Sequence, residues 1–196
     1  MKGQRASAVL AVLASLFAVL AAPVQCTAKQ VPRSAIIDLG FDKRDMPKDY
    51  QIQRDDIGTL QGTRVQSWFT SKRVEVPAKK EKSTKGPRAP LPQPSRISVP
   101  LGTITLSVWV EQNADAASAR LKKELDPKLS YRAGGPLGRK IGDQSLVPKN
   151  SQNPAVLFRR SNVAVKIETE SPKNAVSPAL VDKLARTLDA KIRRYL

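Results

Sequence analysis

The sequence predicts an α+β domain: an antiparallel sheet of four to six strands with two helices packed on one face, running strand-helix-strand-strand-strand-helix after residue 96. Two patterns and one spacing carry this. Ile104, Leu106, Val108 and Val110 alternate with Thr105, Ser107 and Trp109, the period of a strand buried on one side. Leu180, Leu184, Leu188 and Ile192 recur every fourth residue, an apolar helical stripe. The connections between the later elements are too short for parallel crossovers, which favours antiparallel pairing.

In chain order, Arg64 to Phe69 and Arg73 to Val76 read as one broken or bulged strand, placed to pair with Ile97 to Val110. Asn113 or Asp115 then caps a helix carrying Ala114, Ala117, Leu121 and Leu125 at helical spacing. Asp126-Pro127 ends it, because a residue before proline avoids the helical region. A short strand is expected from Lys140 to Val147. Ala155 to Arg159 and Val163 to Glu168 form a hairpin joined at Ser161 and Asn162. The last helix has Ser177 as N-cap, Pro178 at its first position, and Val181 placed to staple onto Val176.

Before residue 63 the pattern fades. Residues 29–62 contain Ile36, Ile37 and Leu39, but Asp and Gly dominate and no period persists, so an irregular segment is expected ahead of a single domain at 63–196. Within that domain, 78–95 reads as a mobile basic loop. It holds Lys79, Lys80, Lys82, Lys85 and Arg88 with Pro87, Pro90, Pro92 and Pro94, and almost nothing apolar to bury.

Residues 1–28 have the layout of a secretory signal peptide: Lys2 and Arg5, then the apolar run Ala6 to Ala22, then Pro23. Seventeen helical residues rise only about 25 Å, short of a bilayer core. Small residues at Cys26 and Ala28 put the new N-terminus at Lys29 and remove the only cysteine. Acylation at Cys26 is the lesser alternative, since Pro23 and Gln25 replace the aliphatic and small residues that a lipoprotein signal carries before its cysteine. Cleavage leaves a secreted or periplasmic body with no transmembrane segment. Because Lys2 and Arg5 go and no acid goes, it carries 32 basic and 17 acidic side chains, net +15.

Such a charge favours anionic partners. Arg159 and Arg160 fall at the hairpin tip, and Lys183, Arg186, Lys191, Arg193 and Arg194 on the polar side of the last helix; together with the lysine loop they are candidates for an anion-attracting surface. A solvated face is the plainer alternative, and no helix-turn-helix, RNA-binding or zinc motif accompanies the charge. Trp68, Phe69 and Trp109 can stack on bases or sugars, though such residues more often complete a core.

The chain has no histidine, which removes the usual general base, the commonest zinc ligand and every imidazole-dependent triad. No Ser-x-x-Lys occurs, the acids are scattered, and the run Asp38 to Asp56 lacks calcium-loop spacing. Gly134-Gly135-Pro136-Leu137-Gly138-Arg139-Lys140 offers amides and two cations to a phosphate, but no helix follows its lysine and a plain turn is the preferred reading. Catalytic residues, cofactors and metal ligands are therefore none.

Three segments carry a family likeness. Asp45-Met46-Pro47-Lys48-Asp49-Tyr50, Ile141-Gly142-Asp143 and Phe158-Arg159-Arg160-Ser161-Asn162-Val163 resemble an Asp-aliphatic-Pro-x-Gly-aromatic segment, a Gly-Asp strand start and a Phe-Arg-Arg-Gly-Asn-Val hairpin. These belong to a loose group of bacterial exported domains of unknown function, and the chain is more faintly similar to extracytoplasmic sensor domains of serine/threonine kinases. Asp49 and Ser161 stand where that pattern has glycine, and the cysteine pair of the kinase sensors is missing. The resemblance implies an extracytoplasmic, non-catalytic domain. The expected function is an interaction module for an anionic envelope polymer, lipid head groups or an acidic protein. Nucleic-acid binding outside the cytoplasm and a histidine-free enzyme stand as alternatives.

Overall fold

The computed structural model describes residues 29–76, 95–149, 151–172 and 176–196. The expected signal peptide, Cys26 and nearly all of the proline-rich loop lie outside the described residues.

Seven strands form one antiparallel sheet: β1 (Tyr50–Gly58), β2 (Thr63–Val76), β3 (Ser95–Val110), β4 (Tyr131–Ala133), β5 (Gln144–Pro148), β6 (Val156–Arg160) and β7 (Val163–Glu170), in spatial order β1-β2-β3-β7-β6-β5-β4. Helix α1 (Ala114–Lys123) follows β3 and helix α2 (Pro178–Arg193) closes the chain. The α+β class is as expected, but the sheet has one strand more than the upper limit of six. The strands with no counterpart in the sequence reading, β1 and β4, are the two edges. Both are held mainly by their backbone ladders, so their side chains carry little period: β1 buries Tyr50 and leaves nearly all the rest exposed, and β4 is three residues long.

β2 and β3 pair as expected, with the ladder shifting register between Thr70 and Ser71. Their pairing runs on to Val76 and Ser95, whereas β1 stops opposite Thr70 and β7 stops opposite Thr103. The hairpin closes at Ser161 and Asn162, and Ser161 has a φ of 51°, the conformation glycine would take more readily.

The main core lies on one face. Ile104, Leu106, Val108 and Val110 of β3, Val163, Val165 and Ile167 of β7, and Val156 and Phe158 of β6 meet Val181, Leu184, Leu188 and Ile192 of α2. Ser177 caps α2 by accepting a hydrogen bond from the Leu180 N–H at 3.2 Å, and Val176 and Val181 are both buried in this core. Residues 29–62 are more ordered than expected. They contribute a 3-10 helix (Arg33–Ile37) and β1, and they bury Val31, Ile36, Leu39, Phe41 and Met46 in the same core. These residues follow no single helix or strand period because one short 3-10 helix places Ile36 and the irregular stretches around it aim the others inward.

Helix α1 packs on the other face, which corrects the expectation that both helices share one. Ala117 and Leu121 sit on Leu157 of β6 and Ala164 of β7, with Trp109, Leu125 and Tyr131 around them. Successive strand residues point to opposite sides, so Leu157 and Ala164 face away from the side that Val156, Phe158, Val163 and Val165 present to α2. Short connections are compatible with either face. The small apolar patch over β6 and β7 matches the narrow stripe of a ten-residue helix. The cap is Asn113, not Asp115: its side chain accepts from the Ala116 N–H at 2.8 Å. No helix among the described residues is long and apolar enough to cross a membrane.

Candidate functional site

The three family-like segments occupy joints of the fold. Asp143, just before β5, accepts hydrogen bonds from the Ser161 N–H at 2.7 Å and from Arg160 at 3.1 Å, and approaches Arg159 at 3.4 Å. Its own N–H returns to the Arg159 carbonyl at 2.7 Å, so the Gly-Asp start and the hairpin are one clasp. Asn162 is buried and makes three bonds. It accepts from the Val31 N–H at 2.8 Å and donates to the Val31 and Glu111 carbonyls at 3.0 and 2.8 Å. In the first segment, Met46 and Tyr50 are buried and Asp45 accepts from Lys191 at 2.8 Å. Burial, with the Asp49 charge beside it, pushes the Tyr50 hydroxyl above its ordinary value.

These joints also use up most of the cations read from the sequence as an anion-attracting surface. Arg160 makes two bonds to Asp189, which also takes one from Arg193 at 2.7 Å. Donating to Asp189 holds the Arg160 guanidinium more firmly protonated than an ordinary arginine, although burial works against it. Arg186 pairs with Asp182 at 2.7 Å, and Lys191 lies among the Gly40 carbonyl, Asp42 and Asp45. Arg159 is shared with Asp143. Five of the seven expected cations thus have an internal carboxylate, and only Lys183 and Arg194 have none among the described residues.

The structure places unpaired positive charge elsewhere, on the outer hairpin made by β4 and β5. Arg132, Arg139, Lys140 and Lys149 are exposed there, and none has an ion-pair partner among the described residues. The hairpin's one acid, Asp143, is turned to Arg159 and Arg160. Sequence reasoning weighed Arg139 and Lys140 only as part of the glycine loop and did not join Arg132 and Lys149 to them, because β4 has no period. The signal was in the composition, since residues 127–149 hold five cations and one acid. The glycine loop at the hairpin's end is the turn it was read as. The Gly134 N–H bonds the Ser145 carbonyl, the Gly135 N–H the Arg139 carbonyl and the Gly138 N–H the Gly135 carbonyl, so these amides are taken within the chain.

Beside the hairpin is a cavity of about 380 Å³. Its walls are Val147 and Pro148 of β5, Ala155 before β6, and Val176 and Pro178 at the start of α2. Among the described residues Arg132 is the only charged one lining it, and the polar residues Ser151, Gln152 and Asn153 complete the rim. A second, more polar cavity of about 320 Å³ lies between Asp38, Asp42, Arg64, Lys191, Arg194 and Tyr195. Most of its charged groups have partners: Tyr195 donates to Asp38, which raises the tyrosine's pKa, Lys191 pairs with Asp42, and Arg64 binds Asp55 outside the cavity through two bonds.

Of the three aromatic residues, Trp68 is buried in the main core, Phe69 is half-buried, and Trp109 packs beside α1 with the Arg120 guanidinium 5.5 Å above its ring. Among the described residues no group of three or more acidic or cysteine side chains converges to hold a metal ion. Comparison of the chain with known proteins finds no matching family model, no matching curated protein and no matching solved structure.

Proposed function

We propose that this chain is a secreted or periplasmic, non-catalytic interaction module whose β4–β5 hairpin meets an anionic partner: an envelope polymer, a lipid head group or an acidic protein surface. The observation that carries the reading is the set of four exposed cations, Arg132, Arg139, Lys140 and Lys149, none of which has an ion-pair partner among the described residues, the hairpin's one acid, Asp143, being bonded to Arg159 and Arg160. A guanidinium or ammonium left unpaired in water keeps its charge available for a partner, whereas one already paired offers little. The leader-like residues 1–28 and the likeness to exported domains support the same compartment.

The test is retention of the protein on anionic and on neutral lipid vesicles, and on an anionic polymer, across a salt series. Retention on the anionic surfaces at 150 mM salt that weakens steeply as salt rises is the expected result. Replacing Arg132, Arg139, Lys140 and Lys149 together by Gln should release the protein, while replacing Lys122 and Lys123 of α1 should not. Equal release by the two variants, or equal retention on neutral vesicles, overturns the reading.

A further inference from the structure

We infer that the cavity between the end of β5 and the start of α2 binds a small organic acid, an apolar body carrying one carboxylate. This stands apart from the polyanion reading and shares only Arg132 with it. The inner walls, from Val147, Pro148, Ala155, Val176 and Pro178, offer carbon surface to a ligand body, and the volume of about 380 Å³ lies within the range of small-molecule sites.

The one charge among the described lining residues is positive. Arg132 has no ion-pair partner and no carboxylate lines the cavity among the described residues. Asn153 uses its carboxamide oxygen to accept from the Ser171 N–H at 3.1 Å, which leaves its amide protons to donate. The Ser151 hydroxyl is turned to the Asn153 carbonyl at 2.7 Å. A ligand with an acceptor at one end and hydrocarbon at the other therefore answers both parts of the lining. A cationic ligand would face Arg132 with no carboxylate among the described lining residues to compensate, and a purely apolar one would leave the Arg132 and Asn153 donors unused.

The experiment is a titration of the isotopically labelled protein with decanoate, and in parallel with decanol, followed by amide chemical shifts. Decanoate should saturate with shifts at Val147, Ala155 and Val176, and decanol should bind at least about tenfold more weakly. Arg132→Gln should weaken decanoate about tenfold and leave decanol unchanged, with the rest of the amide spectrum preserved, and Arg132→Lys should restore part of the loss. Ala155→Phe, which fills the cavity, should abolish both; if that variant does not fold, the Arg132→Gln titrations decide alone. Equal affinity for decanoate and decanol, indifference to Arg132→Gln, or saturation with shifts elsewhere overturns the inference. The variant with Arg139, Lys140 and Lys149 replaced by Gln should lose retention on anionic surfaces and bind decanoate normally, so the two readings fail separately.

Discussion

Arg160 holds Asp189 through two parallel bonds, Nε to one carboxylate oxygen at 2.7 Å and Nη2 to the other at 2.9 Å, tying the tip of the β6–β7 hairpin to the middle of α2. Asp189 is almost wholly buried and Arg160 is about one-fifth exposed. Removing the acid leaves that guanidinium with Asp143 as its remaining carboxylate and with water reaching it only in part. Asp189→Ala should destabilise the fold by about 2–3 kcal/mol, below the loss for a fully buried pair because that partial access softens it. Arg193→Ala removes the other partner of the same carboxylate, but Arg193 is 62% exposed and the loss should be at most about 0.5 kcal/mol. Urea unfolding of the two variants measures the contrast, and equal losses would contradict it.

Asn162 is the only described link from the hairpin to both Val31 and Glu111 through a side chain. Asn162→Ala leaves one buried N–H and two carbonyls without that partner, and should cost about 2–4 kcal/mol. The effect should be local as well as global. Amide exchange at Val31 should accelerate far more than exchange in the centre of β3, and uniform acceleration would count against the clasp.

Gly142 has a φ of +65°, and a Cβ there would lie 2.3 Å from the Arg159 carbonyl oxygen. Gly142→Ala should cost about 3 kcal/mol, combining left-handed strain with a backbone clash. At Gly138, φ is +82° and nothing lies within 4 Å of the added carbon, so Gly138→Ala should cost about 1 kcal/mol. Thermal unfolding should show the larger drop at position 142.

Asp55 and Tyr50 make opposite contributions to the pH profile of stability. Burial pushes the Asp55 carboxyl upward, but bonds from Arg64 and Gln66 and the Arg64 charge outweigh it and hold the group below its ordinary 3.8. The unfolded chain then binds more protons than the folded one in that range, so this stability is present above pH 3.8 and is lost as pH falls through the folded value. The Tyr50 hydroxyl lies above its ordinary 10.0, so its contribution is complete below pH 10.0 and is lost as pH rises through the folded value. Asp55→Asn should differ from the native chain at neutral pH and converge with it in acid. Tyr50→Phe should flatten the alkaline loss. Parallel curves for either variant across its range would refute the assignment.

Much of the scaffold was legible in the residues themselves. The alternation in β3 and β7, the two-residue hairpin at Ser161 and Asn162, and α2 with its Ser177 cap and Pro178 start all depend on neighbours within a few positions. The shift at Thr70 and Ser71 was readable for the same reason, as a break in an otherwise continuous strand pattern. The edges were not, because β1 and β4 are held by main-chain bonds that leave no imprint on side-chain order.

Charge followed the same division. The amino-acid sequence by itself determined how many cations the chain carries, that none of its chemistry involves imidazole, and which stretches alternate or recur at helical spacing. Tertiary structure alone decided which face received α1 and which cations kept their charge for a partner. Arg160 meets an acid 29 positions away and Lys191 one 146 positions away, whereas Arg132 on the outer strand meets none among the described residues. Local patterns record the geometry of a turn or a pleat, but neutralising a charge takes two groups brought within about 3–4 Å, and only the folded chain supplies that proximity.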